Sequence, residues 1–257
     1  GQTINMNGVP ENAITLCGSN ITIDGNNVPT LTLQGPAEGP ALIVTGNNAT
    51  IKNLQFTTTS AFRGGLEYQT NNSFVENCTF LNGNLYIGHI QNPAVYVQGN
   101  TIRNCDIQSG NLQIMGAENK VLNTTILGQL IIGHQGTNVL SNKNEITDCT
   151  GMAQGSTIYG NENKIINATI NVTQLLPTGE NPAAGINIIG NKNSIKNSTI
   201  SNTLTVDNDK ATEGIRLSGA ASTENLIDSI DITGYWNGVY ISDNATKNVI
   251  SNNKMNE

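Results

Sequence analysis

The stretch most able to do chemistry is an acid-rich run, Asp207-Asn208-Asp209-Lys210 through Glu213, standing just before Arg216. Oxygen donors at this density can ligate Ca2+, although the spacing is not that of an EF-hand loop. A cation beside a base is also what removes a proton next to a uronate carboxylate, because the developing anion must be stabilised. Arg216 is therefore the candidate catalytic residue, with Asp207, Asp209 and Glu213 as candidate Ca2+ ligands. The plainer alternative is a solvated acidic loop in which Arg216 pairs with one of these acids. Two histidines share a local setting, Tyr86-Ile87-Gly88-His89 and Ile131-Ile132-Gly133-His134, but no nearby Cys or Asp completes a metal set around them. Tyr235 and the sole tryptophan, Trp236, are the aromatic pair best suited to stack on a sugar.

Composition removes several classes of function. The chain has 257 residues, a net charge of −7 and only 12% charged residues. Without a basic cluster it does not suit nucleic acid, and no apolar run is long enough to span a membrane. Four cysteines in a chain of this length do not make a disulfide scaffold. Asn is abundant and helix formers are few, which points to a turn-rich β protein, since Asn tolerates left-handed backbone at corners.

The elements that must carry these residues are read from an internal repeat. Apolar-x-apolar-x-Gly, as in Ile186-Asn187-Ile188-Ile189-Gly190, alternates with apolar-x-Asn-x-x-apolar, as in Ile195-Lys196-Asn197 to Ile200. A step of about eleven residues often joins them, from Leu42 to Asn53 and from Leu112 to Asn123. Followed through, the register gives about ten coils whose first strands begin at Ile14, Leu42, Leu66, Leu85, Leu112, Leu130, Ser156, Ile186, Ile215 and Val239. Loops are inserted at corners rather than within strands. No coil can bury its apolar face alone, so the coils must stack. The reading is a single domain over residues 1–257, with a lead-in at 1–13 and coils over 14–255.

Columns down the stack test this register. Gly25, Asn53, Asn77, Asn104, Asn123, Asp148, Asn167, Asn197, Ser229 and Asn252 form a turn column, expected to be left-handed and linked by side-chain hydrogen bonds. The next residue should point inward, and there sit Leu54, Cys78, Cys105, Cys149 and Ala168; three cysteines become buried, inert thiols, and Cys17 falls outside the column. Lys52, Glu76 and Arg103 form one outward charge ladder, and Lys120, Glu145 and Lys164 another. Such exposed pairs are worth under ~1 kcal/mol each. A threonine column at Thr79, Thr125, Thr150, Thr169 and Thr199 is interrupted by Asp106. The Asn-x-Ser/Thr triplets arise from the repeat itself and are poor markers of glycosylation.

The motif Gly190-Asn191-Lys192-Asn193-Ser194-Ile195-Lys196-Asn197-Ser198-Thr199-Ile200 resembles the parallel β-helix repeat proteins, the broad group with pectate-lyase-like folds, and the resemblance extends over residues 14–255. It implies an all-β fold, a single-stranded right-handed parallel β-helix of about ten coils, and says little of activity, because that group hosts lyases, hydrolases, epimerases and adhesins. In its enzymes substrate lies along the outer face of each coil's first strand. The corresponding face here holds Thr15, Ile43, Glu67, Tyr86, Gln113, Ile131, Thr157, Asn187, Arg216 and Tyr240. Glu67 has no second carboxylate beside it, which disfavours glycoside hydrolysis.

Two functional readings follow. The leading one is a non-catalytic extracellular or cell-surface domain, adhesin- or appendage-like, that presents Glu67, Tyr86, Gln113, Asn187, Tyr240, Tyr235 and Trp236 to a polysaccharide, surface glycan or protein. The other is a Ca2+-dependent polysaccharide lyase or uronate epimerase using the Arg216 neighbourhood. No amphipathic helix closes the stack at either end, so a neighbouring domain or self-association is expected to cover the open edges.

Overall fold

The computed structural model describes residues 3–5, 14–25, 32–35, 40–58, 64–88, 96–134, 141–174, 184–204, 213–242 and 244–256. Its regular structure is short parallel strands in three long sheets of ten, ten and eleven strands, with a small two-stranded sheet formed by Val97–Gln98 and Gly116–Ala117. The first sheet runs from Ile14–Leu16 to Asn237–Ile241, the second from Thr22–Asp24 to Val249–Ser251, and the third from Thr3–Asn5 to Lys254–Asn256. Consecutive strands fall in different sheets, and each pairs with its counterpart one coil away. This is a right-handed parallel β-helix.

The register matches the sequence reading at every first strand. Ile14 pairs with Leu42, Leu42 with Leu66, and so on through Leu85, Leu112, Leu130, Ser156, Ile186, Ile215 and Val239. Within the lead-in, Thr3–Asn5 joins the third sheet against Thr32–Gln34. At the far end the last strand reaches Asn256, just past the expected boundary.

Alternation turns the central residue of most second- and third-sheet strands inward, and the two flanking residues in the first sheet, as Leu42 and Val44 are, and the sum is a continuous core of Ile, Leu, Val and Phe. Phe56 and Phe80 stack in adjacent coils with centroids 4.9 Å apart. Cys78, Cys105 and Cys149 are buried in this interior, while Cys17 is exposed. Burial pushes the Cys149 thiol up to about 11, and a hydrogen bond to Cys78, together with burial, holds Cys105 well above the usual thiol range. A neutral thiol is a poor nucleophile; Cys78, which the hydrogen bond with Cys105 holds below the usual thiol range, is shielded instead by its burial. The folded protein should therefore consume one equivalent of a thiol reagent, at Cys17, and the other three only after denaturation; rapid reaction of more than one would show that the interior column is open.

Two kinds of asparagine ladder hold the corners. The expected turn column is left-handed from Asn53 through Asn252, with φ between 47° and 58°. Side-chain bonds join three successive pairs of it at the surface: Asn77 to Asn53, Asn123 to Asn104 at 2.8 Å, and Asn167 to Asp148. Gly25 occupies the same column, its N–H donating to the Lys52 carbonyl, but without a positive φ. A second ladder is buried from Asn100 through Asn119, Asn144, Asn163 and Asn193 to Asn225, and ends on the half-buried Asn248. Each passes its backbone N–H and its side-chain amide to the Oδ1 of the next, at 2.8–3.1 Å. Several also donate Nδ2 to a backbone carbonyl of the preceding coil, as Asn163 does to Ser141. An unpaired polar group would be costly here, so the array is self-satisfying. The same bond closes over 19 residues between Asn144 and Asn163 and over 32 between Asn193 and Asn225.

Candidate functional site

The outward column of the first sheet is continuous in register from Thr15 through Ile43, Glu67, Tyr86, Gln113, Ile131, Thr157, Asn187 and Arg216 to Tyr240. Outward, however, does not mean open. Glu67, Tyr86, Gln113 and Thr157 are all buried. Neighbouring polar groups fold across them: Gln69 Nε2 donates to Glu67 Oε1 at 2.9 Å, Asn84 Nδ2 to the Tyr86 hydroxyl at 2.6 Å, and Gln129 Nε2 to Thr157 Oγ1 at 3.4 Å. Gln113 Nε2 is itself turned onto the Gly133 carbonyl. The middle of this face is therefore sealed. The parts left accessible are the two ends, with Thr15 exposed and Ile43 half-buried at the first, and Asn187 and Arg216 half-buried and Tyr240 42% exposed at the C-terminal end; between them Ile131 is half-buried.

The aromatic pair divides. Tyr235 turns inward, packs in the core and donates its hydroxyl to the Ser201 carbonyl at 3.3 Å, so its ring is not offered to a ligand. Trp236 is 71% exposed and does not cap the interior. Both residues lie in a single corner, and a one-residue difference in phase decides which ring is buried.

Arg216 pairs with Glu213, Nη2 to Oε2 at 2.7 Å, within one strand. The pairing in the plainer alternative is thus present. Glu213 is nearly covered, while about a third of the Arg216 side chain reaches solvent. Arg216 Nε is buried without an acceptor. Asp207, Asp209, Lys210 and His89 lie outside the described residues; among the described residues no three His, Cys, Asp or Glu side chains gather as a metal set, and no helix is long and apolar enough to cross a membrane.

A second surface was not anticipated. At the corner between the third and first sheets a trough of about 440 Å3 is lined by Gln108, Asn111, Gln154, Thr173 and Gln174 around the exposed Leu127. Its walls carry neutral amides. Gln154 Nε2 donates to Gln174 Oε1 at 3.3 Å, and Gln108 Nε2 to Asp106 Oδ2 at 2.8 Å. The signal in the sequence is Gln108, Gln154 and Gln174, each within three residues after a third-sheet strand.

The charge ladders are also in place. Lys52 pairs with Asp24 and Arg103 with Glu76, each at 2.9 Å. Lys120, Glu145 and Lys164 are in register, but among the described residues they form no ion pair with one another.

No protein-family model matches the chain, and no curated protein does. Among solved structures, it is similar to the crystal structure of PfbA, a surface adhesin of Streptococcus pneumoniae: 12% identity, TM-score 0.54, covering 93% of this chain and 70% of that one. At this identity the likeness speaks for the fold. With three parallel sheets wound in register and a β-helix as structural neighbour, the chain is a right-handed parallel β-helix.

Proposed function

We propose that this chain is a non-catalytic binding module of the cell surface, and that its ligand is a neutral glycan held in the amide trough beside Leu127. The observation that carries this reading is the pairing in that trough of exposed (Gln108, Gln174) and half-buried (Asn111, Gln154) amides with an exposed apolar side chain. Amide donors and acceptors match sugar hydroxyls, and an apolar patch accepts the C–H face of a pyranose. Trp236 and Tyr240 at the C-terminal end offer a further stacking surface for a longer chain. The structural neighbour is itself a surface adhesin, which agrees with such a role and with an extracellular location.

The test is a glycan array followed by calorimetry on any hit. The paired substitution Gln154→Ala and Gln174→Ala should weaken binding roughly tenfold, about 1.4 kcal/mol, while Glu67→Gln on the sealed face should leave it unchanged. Binding that ignores the trough substitutions would remove this site.

One observation favours the Ca2+-dependent lyase or epimerase reading: the unpartnered Nε of Arg216 is a donor suited to a uronate carboxylate. Incubation with polygalacturonate, alginate or glycosaminoglycan, with and without Ca2+, decides it. Unsaturated product or an altered epimer ratio, abolished by Arg216→Ala, would replace the binding-module reading.

A further inference from the structure

The corner between the first and second sheets carries a column whose members are all left-handed. Each N–H donates to the carbonyl preceding the next member, which defines the order Asn20, Asn48, Asn72, Gly99, Glu118, Lys143, Glu162, Lys192, Glu224, Lys247. The first four are residues that left-handed backbone favours. The last six are not: Glu and Lys bear an ordinary Cβ, and φ is between 55° and 58° at each. The backbone alone would select Asn or Gly at these six positions, so another requirement sets their identity.

That requirement is legible in their signs. The six alternate strictly, Glu-Lys-Glu-Lys-Glu-Lys, one per coil, at the ~4.8 Å spacing of adjacent strands. All six are exposed. Among the described residues they form no ion pair with one another or with any neighbour, unlike the Lys52–Asp24 and Arg103–Glu76 pairs of the next column. Their charges are left available to something outside the chain.

We infer that this ladder is a self-association surface whose occupant is a second copy of the same chain, running antiparallel. Reversal turns Glu-Lys-Glu-Lys-Glu-Lys into its own complement. With a two-fold axis crossing the ladder between Glu162 and Lys192, Glu118 faces the partner's Lys247, Lys143 faces the partner's Glu224, and Glu162 faces the partner's Lys192. A parallel arrangement in register sets every like charge together, and so does an antiparallel one slipped by a single coil. A parallel arrangement slipped by one coil matches five positions, but it leaves Lys247 and the partner's Glu118 unmatched and is not closed by a two-fold axis. The antiparallel alignment matches all six positions and closes, so complete pairing selects both direction and register. The adjoining column does not oppose it. Its Lys120, Glu145 and Lys164 meet Val249, Leu226 and Ser194 across the same axis, and these bear no charge. The six ladder residues sum to zero, so this corner escapes the repulsion that a chain of net charge −7 otherwise exerts on its copy. Exposed ion pairs are individually weak, and the association is correspondingly modest and sensitive to salt.

Sedimentation velocity across a concentration series tests this. The wild-type chain is expected to form a dimer at an ionic strength of about 0.01 M and to dissociate at about 1 M, where the screening length falls from ~30 Å to ~3 Å. The all-acidic variant K143E/K192E/K247E and the all-basic variant E118K/E162K/E224K should each be monomeric, and an equimolar mixture should restore the dimer. The variant with all six signs reversed keeps the alternation and should dimerise like the wild type, which separates loss of the pattern from loss of the fold. A wild-type chain that stays monomeric at low salt, a dimer that survives either single-sign variant, or a mixture that fails to pair would each overturn the proposal.

Discussion

Asn163→Ala is expected to destabilise the chain by about 4 kcal/mol. In the folded state Asn163 Oδ1 accepts from both the backbone N–H and the side-chain amide of Asn144, at 2.9 and 3.0 Å, and its own Nδ2 donates to the Ser141 carbonyl at 2.9 Å and to Asn193 Oδ1 at 3.1 Å. Alanine removes all four hydrogen bonds at once. The groups left behind sit in residues with essentially no solvent exposure, and each unmatched buried group costs roughly 1–3 kcal/mol. The control is Asn123→Gly in the surface ladder. It loses one exposed hydrogen bond, and its backbone is already left-handed with φ at 47°, so the expected change is under ~1 kcal/mol. Denaturant unfolding followed by far-UV circular dichroism measures both; the sole tryptophan is already exposed, and its emission is a weak reporter. Equal losses at the two positions would mean that the buried ladder holds no special share of the stability.

Phe80→Ala should cost about 3–5 kcal/mol, the usual range for truncating a large buried aromatic side chain. Phe80 is fully buried and stacked on Phe56 at an interplanar angle of 12°. A cavity there is bounded by the strands of adjacent coils, which are fixed by their own ladders and cannot close around it. Phe80→Leu retains most of the volume and should recover more than half of the loss. A loss below ~1 kcal/mol for the alanine variant in the same unfolding assay would show that the interior relaxes freely.

The fold was legible because period-two burial and corner chemistry repeat about ten times, so a register error in any coil would have thrown the others out of phase. Ile14 through Val239 align as read. The buried ladder was not legible as buried. Asn193 and Asn197 look alike in the repeat motif, and only stacking distinguishes them: Asn193 finds its partners inside, and Asn197 stands at the surface. The left-handed Glu and Lys residues were missed for a related reason, since intrinsic preference argues against them. The candidate site was the least legible part. Position in a strand says which way Tyr86 and Gln113 point, but not that Asn84 covers the first or that the second folds onto Gly133. Tyr235 and Trp236 were read alike, as a stacking pair, and the structure parts them because a corner, unlike a strand, offers no alternation from which to tell which ring turns inward.

The buried ladder closes with the same geometry whether 19 or 32 residues intervene. Chain-closure entropy grows only with the logarithm of length, so the longer excursion costs about 0.5 kcal/mol more than the shorter. Segment length at the corners is thus almost free to vary, while each strand position is pinned by the coils above and below. The architecture behaves as a display rack: foreign peptides grafted at the corners should be carried with little penalty, and successive grafts would stand in a row at intervals fixed by the stacked strands.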